Sequence, residues 1–265
     1  MISKPWKSGL RVFPILGMLI LNCTVWAGSA PTSVVARAEQ LFGLVEKRFE
    51  TMQTLQYTVE RTTQSPRQQA QERWRFRYRK PGDIRIDYQS PQDRLILVTP
   101  TNMVEYLPVV RKALRTDLTR IPLAERTSRV GNVLARVAVD GLRVGDTRAM
   151  LARVQKVRED EQQPGAWWVE GEGPRFRVLI DPKRQAVLAM QLWDVRGDTK
   201  LQTTAGDWLE VAAGQWMPQR IQAVYGTAEG VVSSLMRLSN IRVNAAVEAG
   251  VFAFEADKSV EILER

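Results

Sequence analysis

The chain has 265 residues, 44% of them hydrophobic and 25% charged, with a formal charge of +9. That composition excludes a disordered chain and allows one large domain or two small ones. With no histidine and one cysteine, it excludes Ser-His-Asp and Cys-His catalysis, histidine-ligated zinc, an intrachain disulfide and a thiolate cluster.

Lys4, Lys7 and Arg11 precede an apolar run from Val12 to Leu21. The run is about ten residues, too short to span a bilayer as a helix. Together with Val25-Trp26-Ala27 it predicts a secretory leader over residues 1–27, cleaved after Ala27. Leu21-Asn22-Cys23 offers a second reading, a lipoprotein processing site that would put a lipid on Cys23. Asn22 stands where such a site wants a small residue, so simple secretion is favoured. The leader carries three basic and no acidic residues, which leaves the remainder near +6 of the +9 total. The excess is dispersed, with no basic block to suggest nucleic acid. Anionic membrane surfaces or acidic proteins fit it better.

Val34, Ala38, Leu41, Val45, Phe49 and Met52 recur at three- and four-residue spacing and predict a helix over Ser33–Met52. Arg37, Glu39, Lys47 and Arg48 are assigned to its polar face. Leu55, Tyr57 and Val59 then alternate as a strand, and Gln64–Gln71 reads as a loop. From Arg73 to Arg79 arginine alternates with Trp74, Phe76 and Tyr78, which gives a strand one aromatic and one cationic face. After Lys80-Pro81-Gly82 the alternation resumes with Ile84, Ile86 and Tyr88. Ser90-Pro91 turns the chain into strands at Leu95–Val98 and Val104–Tyr106. Such short consecutive strands predict an antiparallel meander.

Between residues 109 and 165 the pattern predicts a helix over Arg126–Val139. A short second helix follows Asp146, and the stretch through Leu151 and Val154 fits helix or strand equally. Glu159–Gly165 reads as a polar loop. Strands are predicted at Trp167–Glu170, Arg175–Ile180, Val187–Trp193, Trp208–Val211, Trp216–Val224, Leu235–Val243 and Val251–Phe254. Asp198 and Asp207 read as turn residues. The fold expected is α+β: about ten antiparallel strands curled into a barrel or half-barrel, with a long N-terminal helix and one or two middle helices to fill or cover its concave side. The inward set is Trp74, Phe76, Tyr78, Ile84, Ile86, Tyr88, Phe176, Val178 and Leu192. The same inward face serves an ordinary core or an apolar cavity, and the pattern leaves both open. Asp83 with Asp87, or Glu159, Asp160 and Glu161, are weak carboxylate candidates for catalysis. No nucleotide fingerprint occurs.

The stretch from Arg79-Lys80-Pro81 through Tyr88 to Pro91 resembles the periplasmic outer-membrane lipoprotein carriers, the LolA/LolB-like family. Pro81 and Pro91 keep the family's spacing, and Glu105-Tyr106-Leu107-Pro108 matches its aromatic-x-Pro strand end. Asn244-Ala245-Ala246-Val247-Glu248-Ala249 before Phe252-Ala253-Phe254 resembles its closing segment, which ends in a Phe-x-Phe strand. The resemblance implies a single carrier domain over residues 28–265, an incomplete antiparallel β-barrel with the long N-terminal helix and short lid helices over an apolar cavity. Trp74, Phe76, Tyr78, Ile84, Ile86 and Tyr88 would line that cavity. Lys80 falls where the carriers use a turn arginine to bond lid carbonyls, and lysine lacks the planar fork.

The function implied is a periplasmic, non-enzymatic carrier, expected as a monomer, that binds acyl chains of lipoproteins or other lipids. No catalytic residue, metal or cofactor is expected. Partners would be an inner-membrane donor and an outer-membrane acceptor. The alternative is an RseB-like periplasmic sensor that binds a membrane protein through the same fold. A membrane-anchored acceptor would require lipid on Cys23.

Overall fold

The structure, a computed structural model, describes residues 32–122, 125, 147–173, 175–194, 197–227, 229–248 and 250–265. The predicted leader, Cys23 and the predicted helix at Arg126–Val139 lie outside the described residues. Helix α1 (Thr32–Thr51) forms where the periodicity places it. Ala38, Leu41, Phe42 and Val45 make its buried stripe. Arg48 corrects the expectation of a solvated position, because it is only 2% exposed. The reason is angular. It lies three residues after Val45 and four before Met52, which puts it on the apolar stripe whatever its charge.

The first meander runs through β1 (Thr54–Gln64), β2 (Gln69–Arg79), β3 (Asp83–Ser90), β4 (Arg94–Val98), β5 (Asn102–Leu107) and β6 (Lys112–Asp117). Helix α2 (Thr147–Leu151) leads into the second: β7 (Val154–Glu159), β8 (Trp167–Gly171), β9 (Phe176–Asp181) and β10 (Ala186–Trp193). It continues through β11 (Thr199–Ala212), β12 (Gln215–Thr227) and β13 (Gly230–Val243), and β14 (Glu261–Glu264) ends the chain. All fourteen strands share one sheet in the order β14-β6-β5-β4-β3-β2-β1-β13-β12-β11-β10-β9-β8-β7. Antiparallel pairing of β1 with β13 joins the two meanders, and only β14 with β6 is parallel. The terminal strands β14 and β7 do not meet, so the barrel is incomplete.

The count exceeds ten because polar stretches also pair. The expected loop Gln64–Gln71 shrinks to a tip, since Gln64 lies opposite Gln69 in a hairpin held by main-chain bonds. Those bonds need no apolar side chain. Asp207, read as a turn residue, lies within β11 at a positive φ of 55°, where the ladder skips a residue. The register is the same on either side of Asp207, so the strand runs on through it, and the bulge in this ladder comes later, between Glu210 and Ala212. The α2–β7 stretch settles the open alternative: helix first, then strand from Val154. The strand expected at Val251–Phe254 is a turn and irregular chain instead. Its alternation reflects packing onto the face of β4–β6, with no ladder of its own. Phe252 is buried with Leu97, Val104 and Ala113, and Tyr106 meets Phe254 at 5.4 Å between ring centroids.

Two larger clusters lie beneath and beside α1. Its residues Leu41, Phe42 and Val45 pack with Val154, Val169, Phe176, Val178 and Ile180 of β7–β9. Gly171 permits that closeness, because a Cβ there would collide with the Phe176 ring. The other cluster spans β1–β4, β12 and β13, and Phe49 packs against both. In β4, Ile96 and Val98 join this cluster, whereas Leu97 faces the C-terminal segment. That strand is therefore covered on both sides.

Candidate ligand-binding face

The six residues expected to line a cavity meet as three cross-strand pairs on β2 and β3. Tyr78 lies opposite Ile84, Phe76 opposite Ile86 and Trp74 opposite Tyr88. Period two puts all three pairs on one face, and antiparallel register brings them together. Trp74 and Tyr88 sit 5.7 Å apart between ring centroids. Phe76 stacks on Tyr57 of β1 at 4.7 Å. Trp74, Phe76, Ile84 and Ile86 are buried, and Tyr78 and Tyr88 are half-buried at the rim.

The expected inward set divides. Phe176, Val178 and Leu192 belong to the cluster under α1, apart from these six. Residues outside the expected inward set complete the face: Val59 on β1, Met217 and Ile221 on β12, Met236 and Leu238 on β13. Alternation at Leu55-Tyr57-Val59 pointed to the β1 members. The β12 and β13 members are scattered among polar neighbours and gave no comparable signal. Trp74 and Ile86 have no exposed surface, so side chains close over the centre of the face.

Beyond Trp74 the face turns polar. Arg61 lies over the Trp74 ring at 5.0 Å and forms an ion pair with Glu72 directly across the ladder. On the opposite side of the same strands a cleft of about 520 Å³ is lined mainly by polar residues, including Glu60, Gln71, Arg73 and Arg237. It lacks the lining an acyl chain needs.

Lys80 stands at the other end, in the β2–β3 turn. Its Nζ donates to the Glu50 carbonyl of α1 at 3.0 Å, and its N–H donates to the Gln53 carbonyl at 2.8 Å. A cation is favoured there by the free carbonyls of a helix end. Both Pro81 and Pro91 follow cis peptide bonds.

Of the carboxylate candidates, Glu161 is exposed and the others are engaged in structure. Asp83 accepts from Arg79 at 2.6 Å, and Asp87 is paired with Arg77 and Arg85. Asp160 accepts the N–H groups of Gln162 and Gln163 and the Trp168 indole N–H. Glu159 accepts the Gly165 N–H. These contacts close the β7–β8 turn. Among the described residues no three His, Cys, Asp or Glu side chains cluster to hold a metal. No described helix is long and apolar enough to cross a membrane.

An open antiparallel sheet, with an N-terminal helix laid across its apolar face, defines the LolA-like fold. Solved structures carry the same fold. A domain assigned to outer membrane lipoprotein sorting from Vibrio parahaemolyticus superposes with a TM-score of 0.53 at 14% identity, covering 82% of this chain and 97% of that one. A DUF1329 family protein from Desulfovibrio piger gives 0.53 at 12% identity, over 81% and 96% of the two chains. A LolA-superfamily protein from Nitrosomonas europaea gives 0.51 at 12% identity, over 82% and 97%. At these identities the shared property is the fold. No protein-family model matches the sequence, and no curated protein is similar to it.

Proposed function

We propose that this protein is a periplasmic carrier that binds the acyl chains of lipoproteins or other lipids and moves them towards the outer membrane. It works by binding alone, without a chemical step. The observation that carries this reading is the continuous apolar face of β1–β4, β12 and β13 on a sheet that does not close. The LolA-like fold supports it. Each methylene buried on that face contributes about 0.8 kcal/mol. A carrier must also release its load, so only part of a chain is buried. Because Trp74 and Ile86 are enclosed, loading draws on an open state in equilibrium with the closed one. A leader over residues 1–27 delivers the protein to the periplasm, between an inner-membrane donor and an outer-membrane acceptor.

The test uses the half-buried rim. Lysines replacing Tyr78 and Tyr88 can keep their ammonium groups in water while placing charge at the mouth of the face. Native mass spectrometry is expected to find acyl lipid or lipoprotein on wild-type protein from the periplasm. The double variant Tyr78→Lys/Tyr88→Lys is expected to melt near the wild type and to arrive empty. A wild type still empty after incubation with lipids and lipoproteins, or a variant that loads normally, would overturn the reading.

A further inference from the structure

Arg48 is the buried charge that the fold does not explain. Its Nη2 donates to the Trp216 carbonyl and lies 3.0 Å from Met217 Sδ. Its Cζ stands 5.7 Å from the Phe49 ring centroid. Nε and Nη1 are enclosed and have no hydrogen-bond partner among the described residues. No carboxylate among the described residues reaches it, although arginines all over the sheet have found one. Burial lowers its pKa to about 10, which leaves it charged at neutral pH. A buried guanidinium with unpaired N–H groups is unfavourable, and methionine or leucine would fill the same stripe without that penalty.

Its position shows what would complete it. Met217 belongs to the Trp74–Ile86 cluster, and Phe49 touches both that cluster and the one beneath α1. The guanidinium therefore stands at the seam where a chain lying on the first face would end. We propose that Arg48 receives the oxyanion head, a carboxylate or a phosphate monoester, of a single-chain amphiphile whose alkyl chain lies on the Trp74–Ile86 face. This rests on the carrier reading and narrows its cargo. Guanidinium is suited to such a head, since it offers charge-assisted bonds in a fixed plane. Entry requires Phe49 and the flexible Met217 thioether to move aside.

The experiment titrates the full chain with three oleoyl probes at mildly alkaline pH: oleate, lysophosphatidate and neutral monoolein. Wild type is expected to bind at least one anionic probe about ten- to hundredfold more tightly than monoolein. The stronger anionic probe identifies carboxylate or phosphate as the head. Arg48→Met is expected to bind all three like monoolein and, without ligand, to melt about 2–4 °C higher for a relief on the order of 1 kcal/mol. Arg48→Lys keeps the charge without the fork and is expected to retain part of the preference. Equal wild-type affinity for charged and neutral probes overturns the assignment and leaves the carrier reading standing. So does an Arg48→Met variant that melts lower and keeps the anionic preference, since Arg48 is then a structural residue. A wild type that binds none of the three overturns both.

Discussion

Arginine does different work at different depths in this molecule. Arg79 grips Asp83 and lies over the Phe252 ring at 4.7 Å, which ties the C-terminal segment to the sheet. Arg77 and Arg85 share the half-buried Asp87, and Arg48 is buried with no acid beside it among the described residues. Asp117 shows a single residue acting through pH. It caps the short 3-10 turn Leu118–Arg120, and its Oδ1 accepts the Thr119 hydroxyl at 2.6 Å and the Thr119 N–H at 2.9 Å. The Thr119 hydroxyl, then its N–H, hold the Asp117 carboxyl below its ordinary pKa. A carboxyl depressed in the folded state stabilises it above the unfolded-state pKa, and loses that contribution as pH falls through the folded value. Stability of Asp117→Asn relative to wild type is therefore expected to be lower at neutral pH and to converge in acid. Urea melts across the acid range check this, and a gap that persists at low pH would count against the role.

At the scale of elements, α1 is held by its stripe. Phe42 is 1% exposed and packs into the cluster on β7–β9. Phe42→Ala is expected to destabilise the fold by about 3–5 kcal/mol, measured by urea denaturation. A loss below about 1 kcal/mol would mean that the helix is not docked. The stripe was legible because a helix repeats its faces every few residues, so Leu41, Val45 and Met52 announced themselves. Arg48 obeys the same geometry but was misassigned, since its charge argued for water. On β2 and β3 the pattern is more explicit. Arginine against aromatic leaves no doubt about which side chains share a face, so Trp74, Phe76, Ile84 and Ile86 were recoverable as a set. Met217 and Met236 were not, because their faces carry mixed neighbours and a strand of that kind announces no side.

Across the whole molecule, charge collects on the other face of β2, β1 and β13. Glu60 lies opposite both Arg73 and Arg237, and Arg237 is itself opposite Arg220. Arg73, Arg75, Arg237 and Arg242 are exposed. Like charges paired across strands favour an anionic partner, and each arginine near an anionic bilayer contributes about 1 kcal/mol. Binding to phosphatidylglycerol vesicles is expected to weaken steeply with salt and to be lost in Arg73→Glu/Arg75→Glu, as read by co-sedimentation. Equal binding to zwitterionic vesicles, or no effect of the reversal, would show that this face is not the contact.

The sequence by itself determined which residues could share a side: the stripe of α1, the two-faced strands β2 and β3, and the turns at Pro81 and Pro91. Local periodicity is a property of a few neighbouring residues, and that is all it can report. Which sides meet is a property of the whole chain. Only the tertiary structure decided that β1 pairs with β13 and makes one sheet of two meanders. It also decided that Val251–Phe254 lies across β4–β6 instead of adding a strand there, and that Arg48 ends between two apolar clusters. Each of these depends on closing long stretches of chain, a cost repaid by packing between residues that no local window contains.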